Sequence, residues 1–164
     1  MSTRLTPLTD ADPNAIEALL DAAFGTDRRA RTAYRLREGV DWLPALSFAA
    51  IADDALVGVL QSWPVALDRV PLVLVGPVAI APAQQGQGLG TALMKRLLAA
   101  AGAQPLVMIG DPDYYGRFGF SAVATDGWEV PGPVERHRLL ARASQPLPLA
   151  GTLRPRLASA SLAA

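Results

Sequence analysis

Apolar positions along this chain recur with two different periods. Residues 46–52 and 72–80 are almost unbroken apolar runs of strand length, and residues 55–60 extend the same pattern toward Ala66. Asp53-Asp54 and Asp68-Arg69 interrupt these runs with polar pairs suited to tight turns. Three strands joined by short turns predict an antiparallel meander. Trp63-Pro64 predicts a bend or edge in the second strand. Gly76-Pro77 predicts a bulge or splay in the third, because proline has no N–H for the ladder. A short opening strand is expected over residues 3–8.

The period changes to that of a helix in two places. Ile16, Leu19, Leu20 and Ala23 form a stripe behind Asp12-Pro13, an N-cap followed by a first-position proline. Residues 88–101 place Leu89, Leu93, Leu97 and Ala100 on one face, with Lys95 and Arg96 off it and Gly102 as the stop. Residues 26–38 carry Arg28, Arg29, Arg31, Arg35 and Arg37 around Tyr34, and read as a solvated second helix. The alternative is a helix that contacts an anion or gates a substrate. A buried strand over residues 106–110 completes a parallel strand–loop–helix–strand crossover. Residues 112–118 suit a short helix ended by Gly119, and residues 128–130 and 137–143 suit closing strands. The stretch from Gln145 is rich in Pro, Leu, Ala and Ser, and its last eight or so residues are expected to be a disordered tail. Meander plus crossover gives a mixed α+β sheet, expected as one domain over residues 1–164.

Composition narrows the chemistry. At 164 residues, with 51% hydrophobic and 18% charged, the chain is long and apolar enough for a core. Zero cysteines exclude a disulfide framework, a thiolate nucleophile and a Cys-ligated metal. No His/carboxylate cluster suggests any other metal site. Fifteen Lys+Arg balance fifteen Asp+Glu, so there is no electrostatic footprint for nucleic acid or an acidic membrane. No apolar run approaches the ~20 residues that span a bilayer, and the first residues lack a signal-peptide pattern. The expectation is a cytoplasmic protein.

The informative segment is the loop before the second strong helix, Pro82-Ala83-Gln84-Gln85-Gly86-Gln87-Gly88-Leu89-Gly90-Thr91. Glycine at every second position brings a ligand close to the backbone. The first N–H groups of the helix lack internal partners, which makes an anion site suited to phosphate. There is no Lys or Arg between Arg69 and Lys95, so backbone N–H groups would hold the anion. A Walker loop is excluded because no Lys precedes Thr91. A dinucleotide fingerprint lacks its third glycine, where Thr91 stands, although Asp111 lies where a ribose-binding acid would be. A glycine-rich turn without a ligand is the remaining plain reading.

A third pattern, Gln-x-x-Gly-x-Gly, fits at Gln85, Gly88 and Gly90. With the strand Gly76-Pro77-Val78-Ala79-Ile80-Ala81-Pro82 before it, this stretch resembles the GNAT superfamily of acyl-CoA-dependent N-acetyltransferases. Downstream, Gly110-Asp111-Pro112-Asp113-Tyr114-Tyr115-Gly116-Arg117-Phe118-Gly119-Phe120 is similar to the family's second signature, and looks most like its YhbS-like branch. The close match covers residues 72–120. The resemblance implies a GNAT-like fold, a central, mostly antiparallel mixed sheet with helices on both faces.

It also implies acetyl-CoA as co-substrate and a primary amine, on a small molecule or peptide, as acceptor. Backbone N–H groups of Gln85, Gly86, Gln87, Gly88, Leu89, Gly90 and Thr91 would cradle the pyrophosphate. Val78, Ala79 and Ile80 would offer backbone groups to the pantetheine arm and one N–H to the thioester carbonyl. Attack by the amine is direct, so the lack of cysteine is no obstacle. Tyr115 occupies the family's position for the acid that protonates the leaving thiolate, with Tyr114 as its competitor. Arg117 is either a CoA phosphate contact or a solvated charge. The acid that many relatives carry on the strand before the loop is missing from residues 73–80. Glu38, Asp41, Asp53, Asp54 and Asp68 are alternative bases, and His137 is a candidate substrate contact. The missing base leaves a second possibility, an acyl-CoA-binding sensor or scaffold without turnover. The enzyme is expected as a monomer or homodimer.

Overall fold

The structure, a computed structural model, describes residues 2–157. Its described residues group into two compact units. One contains the residues up to Arg29, Leu43–Ser62 and Gly76–Gly102. The other contains Ala30–Trp42, Trp63–Val75 and the residues from Ala103 on.

The first unit begins with β1 (Thr3–Pro7), a single 3-10 turn and helix α1 (Pro13–Phe24). Asp12 caps α1, its side chain accepting from the Asn14 N–H at 3.2 Å, with Pro13 in the first turn. Ile16, Leu19 and Leu20 are buried, as the stripe requires. Strand β2 (Phe48–Ala52) pairs antiparallel with β1 and with β3 (Ala55–Leu67). Asp53 and Asp54 both have positive φ, 50° and 63°, and Ala52 faces Ala55. That is the two-residue turn whose twist suits a hairpin, and Asp tolerates it better than most residues. The unit also holds the second half of β4 (Val70–Ile80) and helix α3 (Leu89–Ala101). A Cβ on Gly58 would sit 3.0–3.2 Å from Ala50, Ile80 and Leu93, so a glycine there lets α3 pack close to the sheet.

In the second unit, β3 and β4 continue, with Asp68 in the left-handed region at their turn. Strand β5 (Leu106–Ile109) runs parallel to β4 at Val73↔Leu106 and Leu74↔Val107. On its other side β5 pairs antiparallel with β7 (Leu139–Arg142) over four residues. Two short helices lie here, α2 (Thr32–Arg35) and α4 (Pro112–Tyr115). Strand β6 (Gly127–Glu129) pairs parallel with β8 (Ala150–Pro155), and β8 pairs antiparallel with β3 at Val65, Ala66 and Leu67. Leu36, Val65, Leu67, Leu72, Leu74, Val107, Trp128, Leu139 and Leu153 form its core. Antiparallel pairs predominate, with β4–β5 and β6–β8 parallel, which is the mixed α+β sheet expected.

Four expectations need correction. Residues 26–38 form no continuous solvated helix: a 3-10 turn (Arg28–Ala30) precedes the four-residue α2, and Arg28 and Arg37 are buried. Residues 136–138 are a 3-10 turn, not the start of β7. On α3 the buried face runs Leu89, Leu93, Met94, Leu97 and Ala101, and Ala100 is exposed, because the buried row steps by four residues and so winds about 40° around the helix per step, toward Met94 and Ala101 and away from Ala100. Strand β8 falls in the Pro-, Leu-, Ala- and Ser-rich stretch from Gln145, for which no strand is expected. Its composition is weak for a strand, and the ladders with β3 and β6 supply what propensity does not. The expected tail lies, from residue 158 on, outside the described residues.

Candidate functional site

In the first unit, the end of β4 leads through a 3-10 turn (Pro82–Gln84) and the glycine loop into α3. Ala79 is buried while Val78 and Ile80 are half-buried. The Ala81 N–H donates to the Val57 carbonyl at 2.8 Å, which anchors the start of the loop. The Gln85 side chain turns back, its Nε2 donating to the Ile80 carbonyl at 3.4 Å. Leu89 is buried against Ala50, Ala52 and Val57 and fixes the first turn of α3. Between these anchors, residues 85–88 are exposed.

The glycines set the loop's shape. Gly86 and Gly88 have φ of +82° and +80°, a region L side chains rarely adopt, and a Cβ on either would meet nothing within 4 Å. They are therefore required by backbone conformation and lie against open space, with no protein neighbour to avoid. Gly88 is also the N-cap of α3 and supplies no side-chain cap. A thirteen-residue helix thus begins with its dipole and first-turn N–H groups at an exposed loop whose Gly86 and Gly88 carry no side chain. This backbone fits a pyrophosphate, and the nearest cations in sequence, Arg69 and Lys95, lie outside the loop.

In the second unit, β5 ends at Gly110 and α4 follows at once. The Asp111 carboxylate caps α4 by accepting from the Asp113 N–H at 3.0 Å. The Tyr115 N–H donates to the Asp111 carbonyl at 2.9 Å. Tyr115 sits in an aromatic cluster: the Tyr114 ring is edge-on at 4.8 Å, Phe118 is at 6.4 Å, and Phe120 is edge-on at 6.4 Å. Burial pushes the Tyr115 phenol up to about 12, with smaller upward contributions from Tyr114 and Asp111 and an opposing one from the Arg138 charge. Tyr115 is thus held firmly in its protonated form at neutral pH, which is the state a proton donor needs. Tyr114 differs, carrying the Arg117 guanidinium 4.5 Å over its ring. Arg117 also donates to the Tyr114 carbonyl at 3.0 Å, so it serves its own turn.

The candidate bases fare differently from Tyr115. Glu38, Asp41, Asp53, Asp54 and Asp68 are all exposed. Asp53 and Asp54 form a hairpin turn, and Asp68 accepts from the Thr152 N–H at 3.1 Å. His137 is exposed beside Glu135 at 3.5 Å. Among the described residues no group of three or more His, Cys, Asp or Glu could hold a metal ion. No helix there is long and apolar enough to cross a membrane. Two features were not foreseen. Arg37 lies buried between the Tyr34 ring at 4.0 Å and the Trp63 ring at 5.1 Å. Gly110 has Tyr115 directly against it. The only signal for either was a residue type out of place, an arginine beside the apolar Leu36 and a glycine closing a buried strand.

Comparison with known proteins places this geometry. The model of the acetyltransferase (GNAT) family matches residues 14–120. An uncharacterized N-acetyltransferase of Escherichia coli K12, YjhQ, is 29% identical over 161 residues, covering 90% of this chain and 89% of its own. A second from the same strain, the uncharacterized N-acetyltransferase YhbS, is 34% identical over 119 residues, covering 69% of this chain and 70% of its own. The crystal structure of Escherichia coli YhbS in complex with CoA superposes with a TM-score of 0.72 at 26% identity, covering 94% of this chain and 89% of that one. A GNAT acetyltransferase of Brucella melitensis in complex with acetyl-CoA gives 0.65 at 26%, covering 94% and 96%. The chain belongs to the GNAT family and has its fold, which makes it an acyltransferase by class.

Proposed function

We propose that this protein transfers the acetyl group of acetyl-CoA to a primary amine of a small molecule or peptide by direct attack. The observation that carries the reading is the loop at Gly86 and Gly88, two left-handed glycines on open space at the start of a thirteen-residue helix. CoA and acetyl-CoA in the two related crystal structures support the same donor here. Bound there, acetyl-CoA supplies an activated acyl thioester. Backbone N–H groups of residues 85–91 hold its pyrophosphate without a side-chain cation. Val78, Ala79 and Ile80 bind the pantetheine arm through backbone groups, and one of their N–H groups donates to the thioester oxygen as negative charge develops there. Tyr115 gives its phenolic proton to the departing sulfur. The proton of the incoming ammonium leaves through water, since residues 73–80, the strand before the loop, carry no acid. Residues 1–164 act as one such domain, cytoplasmic and monomeric or homodimeric.

Thiol release from acetyl-CoA over a panel of polyamines, amino acids, aminoglycosides and lysine peptides tests this reading. At least one amine is expected to turn over. Tight CoA binding with no amine acetylated would instead support a sensor or scaffold, the reading motivated by the missing acid in residues 73–80.

A further inference from the structure

We infer that Gly110 is a positioning residue for the Tyr115 phenol, its bare Cα forming the seat that sets the angle of the ring. The inference rests on the reading of Tyr115 as the proton donor. Gly110 is buried at the end of β5, and its φ lies outside the left-handed region. Its backbone therefore does not demand glycine; the space beside it does. A Cβ on Gly110 would lie 2.8 Å from Tyr115 Cε2 and 2.9 Å from Cδ2, closer than real Cβ contacts come.

Neither backbone is free to give way. The Gly110 N–H donates to the Arg138 carbonyl at 2.9 Å, and the preceding residue, Ile109, is paired with Leu139. Tyr115 is tied by its N–H to the Asp111 carbonyl at 2.9 Å, and its own carbonyl accepts from Phe120 at 3.4 Å. The adjustment must fall on the Tyr115 side-chain torsions. Cδ2 and Cε2 lie partway along the ring, so a tilt that clears a methyl there moves the phenol oxygen further. The ring packs against Tyr114 at 4.8 Å and Phe120 at 6.4 Å and is half-buried, so a tilt that clears the methyl changes these contacts. A donor displaced by about 1 Å loses on the order of 10²-fold in rate. Tilting the ring out of its packing also weakens the burial that holds its proton.

A cycle of four proteins tests this: the parent, Gly110→Ala, Tyr115→Phe and the double variant. Turnover is read with acetyl-CoA and the amine panel. Alkaline titration of tyrosine absorbance, with each protein's Tyr115→Phe partner subtracted, isolates the Tyr115 phenol. Gly110→Ala is expected to lower kcat about tenfold to hundredfold with KM for acetyl-CoA within about twofold, and to add no loss in the Tyr115→Phe background. The phenol is expected to titrate about one pH unit or more below the parental value of about 12. Parental kcat and parental titration in Gly110→Ala overturn the inference, as does a kcat loss of equal size in the Tyr115→Phe background. If Tyr115→Phe itself keeps full kcat, the proton-donor reading fails, and the titration alone decides the contact. If Gly110→Ala does not fold, Gly110→Ala/Tyr115→Leu, which removes the ring, is expected to fold. Failure of that pair as well overturns the contact as the cause.

Discussion

Tyr114 and Tyr115 are chemically identical and adjacent, so only their surroundings can distinguish them. The string Tyr-Tyr-x-x-Phe-x-Phe announced an aromatic cluster without saying which phenol is more deeply placed. Both residues are half-buried, and they differ in what surrounds them: desolvation pushes the Tyr115 phenol up to about 12, while Tyr114 carries the Arg117 cation over its face. The raised value makes a pH prediction. The neutral phenol is favoured in the folded state, so its contribution to stability is complete below pH ~10 and is lost as pH rises from there through about 12. Denaturant melts of the parent between those limits should show stability falling by on the order of 2–3 kcal/mol from this group. Tyr115→Phe should flatten that part of the profile and, with a working amine, lower kcat on the order of 10²-fold. A profile unchanged by the substitution would remove Tyr115 as the buried phenol.

Elements were legible where one period ran uninterrupted. The stripe and caps of α1, the turns at Asp53 and Asp68, and the length of α3 all follow from local pattern. The arginine-rich stretch after α1 was not legible, because charge alone does not say where a partner lies. Arg28, 2% exposed, bonds the α1 carboxylates Glu17 at 2.7 Å and Asp21 at 2.9 Å. The two sides of this cluster should respond unequally. Arg28→Met leaves only carboxylates that are 49% and 38% exposed and can rehydrate. It should cost about 1–2 kcal/mol in urea unfolding. Glu17→Gln/Asp21→Asn strips both counter-charges from a buried guanidinium and should cost about 3–5 kcal/mol. Equal losses would mean that Arg28 is hydrated despite its burial.

At the scale of the whole molecule, the predicted donor should be visible as ligand-linked stability. A ligand at about 100 times its dissociation constant adds about 2.7 kcal/mol, or roughly 5–10 °C in Tm for a chain of this size. CoA should produce such a shift and NAD none. Gly88→Val should abolish it, because a β-branched residue at φ +80° is strained by about 1–2 kcal/mol and its side chain fills the open space beside the loop. The variant should keep its helical circular dichroism, since Leu89 and Leu93 still bury their face of α3. A CoA shift that survives in Gly88→Val would move the pyrophosphate elsewhere.

The amino-acid sequence by itself determined the strand and helix periods, the glycine loop with no cation in it, and the two signatures that carry the family resemblance. Those are local properties, written in spacings of two to four residues and in glycines that φ alone requires. Only the tertiary structure decided that β8 is a strand, that Arg28 and Arg37 are buried, and that Tyr115 rests on Gly110. Each of these depends on residues distant in the chain or on side-chain direction: the ladder between β3 and β8, the ion pairs on α1, and a ring placed within 3 Å of a missing Cβ. Composition and period carry no information about such contacts, because burial, and the proton affinity it sets, exists only once the chain has closed around the group.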